Sequence, residues 1–247
     1  MKALKATLLP FLSIGCGGLA LSLRFILNSS RDELGLLPNG HICSILAYVL
    51  MVLFLVTLGL CVRSLAPMSS YKALFPASQI RATGCALAAI GFLYAGICSI
   101  GEGGVVGTIM LVLGILCTLS MSNIALARLA GLTPNGWLHM LPVVFLMGRA
   151  VLQVRQWSAT IQTAAYIFPL LASIFLMLAA YYHANLNIRK KGRRWFVFSS
   201  QAALFFCLGA LADNDPVFYL TMAGWMACDL CITTNPQKRN PAQEEQA

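Results

Sequence analysis

The chain alternates long apolar stretches with short polar breaks, and each stretch is about the roughly 20 residues a helix needs to cross a bilayer. Eight helices are predicted, at residues 7–27, 41–62, 82–100, 105–127, 137–154, 159–186, 195–212 and 217–233. The breaks are turn sequences: Pro38-Asn39-Gly40, Gly101-Glu102-Gly103-Gly104, Thr133-Pro134-Asn135-Gly136 and Asp213-Asn214-Asp215-Pro216. The fifth stretch is the shortest, and its length leaves open whether it spans fully or is partly re-entrant. A continuous sixth helix of about 28 residues would be about 42 Å long against about 30 Å of hydrocarbon. It is expected to tilt, bend at Pro169 or project, presenting His183, Asn185 and Asn187 beside a basic loop.

Composition narrows the class. Of 247 residues, 59% are hydrophobic and 10% charged, against about 45–50% and about 25% in soluble domains, and the mean hydropathy is +0.78. Intrinsic disorder, a disulfide-stapled secreted module and an ordinary water-soluble domain are excluded. The expectation is an all-α, polytopic transmembrane bundle of about eight spans in a cell membrane. Residues 1–234 form one transmembrane domain, and 235–247 a polar, disordered cytoplasmic tail.

The net charge of +9 then becomes a question of sidedness, because short cytoplasmic loops collect Lys and Arg. With eight spans and both termini inside, the cytoplasmic face receives Lys2, Lys5, Arg63, Lys72, Arg81, Arg128, Arg189, Lys190, Lys191, Arg193, Arg194, Lys238 and Arg239. Arg24, Arg31, Arg149 and Arg155 fall outside, with Asp32, Glu33, Glu102, Asp213 and Asp215. Without a fifth crossing, the basic run at 189–194 would land outside. Residues Gly15-Cys16-Gly17-Gly18 contain no Ala-x-Ala-type cleavage site, so the first helix is expected to be retained.

Lipid tails are as apolar as leucine, so helices must associate through close backbone approach and a few polar contacts. Gly84, Ala88, Gly91 and Ala95 form a small-residue stripe, and Gly103, Gly107 and Gly114 line the start of the fourth helix; a tight hairpin of helices three and four is expected. Ser120, Ser122, Asn123, Ser199, Ser200 and Gln201 are expected to face inward. Trp137, Trp157 and Trp195 fall near the predicted interfaces, Trp225 deeper. The nine cysteines all lie in apolar runs and read as packing residues.

Arg149 and Asp229 are the charges set most clearly within spans, and such residues are functional candidates. They lie near opposite ends of their helices, so they are not expected to pair; Arg149 is within range of Glu102 or Asp213, and Asp229 of His139 or Arg128. Arg149, Asp229, Asn123, Gln201 and His139 are the candidate polar path. Arg189, Lys190, Lys191, Arg193 and Arg194 are candidates for contact with anionic lipid headgroups or a membrane or cytoplasmic protein partner. Cys228-Asp229-Leu230-Cys231 has CxxC spacing but no second ligand pair, and His41, His139 and His183 sit on different helices. No metal site, cofactor site, catalytic motif or nucleic-acid partner is expected. Asp213-Asn214-Asp215 reads as a turn before Pro216. The echo of Gly35-Leu36-Leu37-Pro38-Asn39-Gly40 in Gly131-Leu132-Thr133-Pro134-Asn135-Gly136 reads as shared turn chemistry rather than an inverted repeat.

The opening run resembles a group of multi-pass membrane proteins of anaerobic Firmicutes. The likeness rests on a basic start, Leu23-Arg24-Phe25, and Asp32-Glu33-Leu34-Gly35-Leu36-Leu37-Pro38-Asn39-Gly40-His41. It covers about the first quarter of the chain and implies a bacterial cytoplasmic-membrane protein, with no activity attached. Three functions are in competition: a small-molecule transport bundle is the leading expectation, a non-catalytic sensor or docking protein using the loop 189–194 the alternative, and a lipid-modifying enzyme the least favoured.

Overall fold

A computed structural model of the chain describes residues 2–30, 41–63, 65, 78–102, 104–157, 166–189, 192–213 and 215–233. Among these there are eight α-helices and no strand: α1 Lys2–Ser29, α2 Ile42–Arg63, α3 Gln79–Cys98, α4 Gly104–Leu129, α5 Met140–Trp157, α6 Ile167–Arg189, α7 Arg193–Ala210 and α8 Pro216–Thr233. Short 3-10 turns at Ser99–Glu102 and Gly136–His139 precede α4 and α5. Six of the helices are long and apolar enough to cross a membrane. The tail at 235–247, the turn at 35–40, Lys190, Lys191 and the side chain of Cys231 lie outside the described residues.

Burial runs opposite to that of a soluble protein. On α2 the enclosed positions are Cys43, Ala47, Phe54, Leu58 and Val62, one narrow stripe at helical spacing. Ile42, Ile45, Leu46, Val49, Val52, Leu53, Val56 and Leu60 face outward. An apolar surface of that extent is unstable in water and matches hydrocarbon. Arginine, histidine, aspartate and glutamine side chains lie inside instead.

α7 is the hub. It packs against α1, α2, α6 and α8, and thirteen of its 18 residues are buried. Phe205 stacks on Phe54 of α2, with centroids 4.3 Å apart, and Phe206 stacks on Phe175 of α6 at 5.3 Å. The α3–α4 hairpin expected from the sequence is present, but its glycines divide their work. Gly96 and Gly114 face each other across α3 and α4, where an added Cβ on Gly114 would lie 3.0 Å from Gly96 Cα. Gly84 and Gly91 meet α8 instead, against Cys228 and Thr221.

The sixth helix differs from expectation. In the described residues it begins at Ile167 and has 23 residues; residues 159–165 lie outside the description. Pro169 sits in the first turn, where its missing N–H has no intrahelical partner to lose, so it starts the helix rather than bending it. His183 is buried, and Asn187 donates through Nδ2 to the Pro134 carbonyl at 2.7 Å, so neither projects free of the bundle.

Candidate functional site

Polar side chains gather at three levels. The first, at the end of the bundle that holds the α3 N-terminus and the α4 C-terminus, is built by five segments. α4 closes with Gly131 at φ +70°: the Leu132 N–H reaches the Ala127 carbonyl at 2.8 Å, and the Gly131 N–H reaches that of Arg128 at 3.4 Å. This left-handed glycine cap satisfies the last carbonyls and holds Arg128 on the inward face of the final turn. After it, Asn135 Oδ1 accepts from the Trp137 N–H at 3.1 Å, starting the 3-10 turn that carries His139 inward.

There Arg128 Nη1 donates to Asp229 Oδ1 at 2.6 Å, and Arg128 Nη2 lies 2.9 Å from His183 Nε2. A guanidinium only donates, so this contact requires a lone pair on Nε2 and puts the His183 proton on Nδ1. The His183 ring meets that of His139 edge to face, centroids 4.3 Å apart. Arg128 and Asp229 are 4% and 0% exposed; Arg81, His139 and His183 are equally enclosed. A charge pair this dry needs good geometry and further hydrogen bonds to offset the desolvation of both groups, and loss of either partner strands the other.

At the opposite end, the turn after α7 supplies two carboxylates. Arg24 of α1 donates through Nη2 to Asp213 at 2.5 Å, with Asn28 Nδ2 on the Ala212 carbonyl at 2.8 Å. Arg149 of α5 donates to Asp215 at 2.6 Å while its guanidinium lies 4.1 Å over the Phe218 ring. Beneath it, Gln153 Nε2 donates to Tyr219 Oη at 3.0 Å and Gln153 Oε1 accepts from Ser173 at 2.8 Å. Between the two ends, Ser13 of α1 donates to Gln201 Oε1 of α7.

The candidate path is therefore divided. Asp229 and His139 belong to the Arg128 network, Arg149 to the opposite end, and Gln201 to the α1–α7 contact. Asn123, with Ser122, is exposed on the outer face of α4, contrary to the inward placement expected; Ser120, Ser199, Ser200 and Gln201 are buried as expected. Asp229 pairs with Arg128, one of its two expected partners, whereas Arg149 takes Asp215 rather than Glu102 or Asp213. The Asp-Asn-Asp turn is more than a turn: Arg24 and Arg149 each anchor on one of its acids. Of the basic run, Arg189 closes α6, and Arg193 and Arg194 open α7, half-buried and exposed respectively.

Arg24 and Arg81 were placed in the sequence only as charges on one side or the other, and Arg128, His183 and Asp213 were named there but kept out of the candidate path, because each stands within a turn or two of a predicted helix end. Among the described residues, eight cysteines are free thiols, and no group of three or more His, Cys, Asp or Glu side chains is placed to hold a metal. Comparison with protein-family models, curated proteins and solved structures gives no match.

Proposed function

We propose that the chain is an eight-span protein of a bacterial cytoplasmic membrane, with both termini in the cytoplasm. In this reading it is a non-catalytic docking or sensing bundle whose basic face meets an anionic partner. The observation that carries the docking reading over transport is the scatter of Arg149, Asn123, Gln201 and Asp229 into four separate surroundings. A permeation path needs polar groups converging on one cavity near midplane; three of these four are spent instead on pairwise contacts between helices, and Asn123 faces outward.

Charge supports the sidedness. Two of the arginines assigned outside, Arg24 and Arg149, are neutralised by Asp213 and Asp215. The opposite face carries Arg63, Arg81, Arg128, Arg193 and Arg194 against the single acid Asp229 among the described residues. Orientation during insertion follows the excess of Lys and Arg on one side, with the acids contributing little.

The test is thiol accessibility in sealed membranes. Single-cysteine variants retaining Cys117, Cys207 or a Gln201→Cys replacement are treated with a membrane-impermeant, charged thiol reagent from each side. The docking bundle leaves all three unlabelled, while a Gly192→Cys reporter labels from the cytoplasmic side alone. Labelling of the three interior positions reveals a wet path and restores transport; labelling of position 192 from outside overturns the topology.

A further inference from the structure

We infer that the groove between α2 and α7 binds one anionic phospholipid, with an acyl chain along its wall and the phosphate between Arg63 and Arg194. The groove has a volume of about 570 Å³, within the roughly 300–1,000 Å³ of small-molecule sites. Leu55, Gly59 and Leu60 form one wall, Trp195 and Phe198 the other, and Arg63 and Arg194 stand together at one end.

The shape has a physical origin. α2 and α7 touch closely at the Phe54–Phe205 stack, but one turn further on α2 offers Gly59, and a Cβ there would meet nothing within 4 Å. The space stays open because nothing from α2 fills it and Trp195 leans the other way, stacked on Tyr182 with centroids 6.2 Å apart. Arg194 is braced across the mouth, its Nε donating to the Leu65 carbonyl at 3.0 Å. Of the five N–H donors of a guanidinium, the four on Nη1 and Nη2 have no hydrogen-bond partner among the described residues.

Chemistry selects the occupant. Leu60 is exposed beside the groove, so the wall is continuous with the lipid-facing surface of α2, and hydrocarbon is the medium that meets it. Two guanidiniums at one end of an apolar slot match a phosphate joined to an acyl chain. Trp195, 60% exposed, marks that end as the headgroup level, where indole rings settle. A zwitterionic lipid would bring its own cation to the same two arginines, so selectivity for net negative charge follows. The inference deepens the docking reading above by naming one ligand class on the same basic face.

The experiment uses the full chain in detergent micelles, with phosphatidylglycerol or phosphatidylcholine of matched chains added, read by native mass spectrometry. We expect one retained phosphatidylglycerol in preference to phosphatidylcholine. Arg63→Gln and Arg194→Gln are each expected to lower retention about fivefold. Gly59→Phe, which fills the slot and leaves both charges in place, should abolish it. Equal retention of the two lipids, or phosphatidylglycerol retention that survives Gly59→Phe, overturns the groove. Should Arg194→Gln fail to fold, Arg63→Gln and Gly59→Phe decide the matter. Outside labelling at position 192 would shift the groove to the other leaflet without removing it, so the two proposals fail separately.

Discussion

Arg128 and Asp229, 101 residues apart in the chain, meet at 2.6 Å with almost no exposure to solvent. Their contact ties the C-terminal turn of α4 to α8 across the N-terminal end of α3. Removing one partner leaves the other charge stranded in a dry site, at a cost of about 3–5 kcal/mol. Asp229→Leu and Arg128→Met are each expected to lower the unfolding midpoint in micelles sharply. The double variant Arg128→Met/Asp229→Leu is expected to recover most of the loss, because neither charge is then stranded. Additive losses in that cycle would mean the two side chains do not depend on each other.

His183 adds a second test at the same place. Its Nε2 accepts from Arg128 at 2.9 Å, while its ring packs on Phe196, centroids 5.4 Å apart. His183→Phe keeps the packing and deletes the acceptor, so the expected loss is about 1–3 kcal/mol, that of a buried donor left unsatisfied. In the Arg128→Met background the same change should cost less, since the Arg128 guanidinium that donates to Nε2 is then gone. A cost that is the same in both backgrounds would assign His183 a packing role only.

The helices were readable in the sequence because lipid imposes one rule on every span: about 20 apolar residues with satisfied backbone bonds. That rule is local, and six of the eight helices meet it by length and apolarity alone. Pairing is not local. Asp229 was within reach of Arg128 by depth alone, and the pair formed. Arg149 was expected at Glu102 or Asp213, yet it pairs with Asp215, while Arg24, from α1, holds Asp213. Asn123 and Ser120 lie three residues apart on one helix, yet Ser120 donates to the Leu138 carbonyl at 2.6 Å and Asn123 faces out. Which side of α4 is interior depends on where α3 and α5 pack, and apolar periodicity carries no such information when both faces are apolar.

The Arg149 contact has two parts that a lysine separates. The guanidinium donates to Asp215 and its carbon lies 4.1 Å from the Phe218 ring centroid. Arg149→Lys keeps the charge but loses planar stacking and paired donors. Asp215 is 36% exposed, so the ionic part is partly screened, and the expected loss for the lysine variant is about 1 kcal/mol. Phe218→Leu also empties core space, because Phe218 is fully buried, so its loss should be larger in the native background than in the Arg149→Lys background by the stacking part. Measuring all three by thermal unfolding separates stacking from charge; an unaffected Arg149→Lys variant would leave only the ionic part.

The α3–α4 seam makes the sharpest prediction about small residues. A Cβ added at Gly114 would sit 3.0 Å from both Gly96 Cα and the Phe92 carbonyl oxygen, backbone atoms that cannot swing aside. At Gly18 the same addition meets nothing within 4 Å. Gly114→Ala is therefore expected to push α3 and α4 apart, costing about 1–3 kcal/mol as overpacking. Gly18→Ala, on a helix face toward lipid, should be neutral or slightly stabilising, since it restricts the unfolded chain without a clash. The Thr118 hydroxyl, which donates to the Ala89 carbonyl across the same seam at 3.1 Å, supplies a local reporter. Separation of the helices should expose position 118, in a Thr118→Cys variant, to thiol labelling in Gly114→Ala but not in Gly18→Ala. Equal stability and equal labelling in the two backgrounds would show that the seam tolerates a methyl group, and close approach at Gly114 would lose its structural importance.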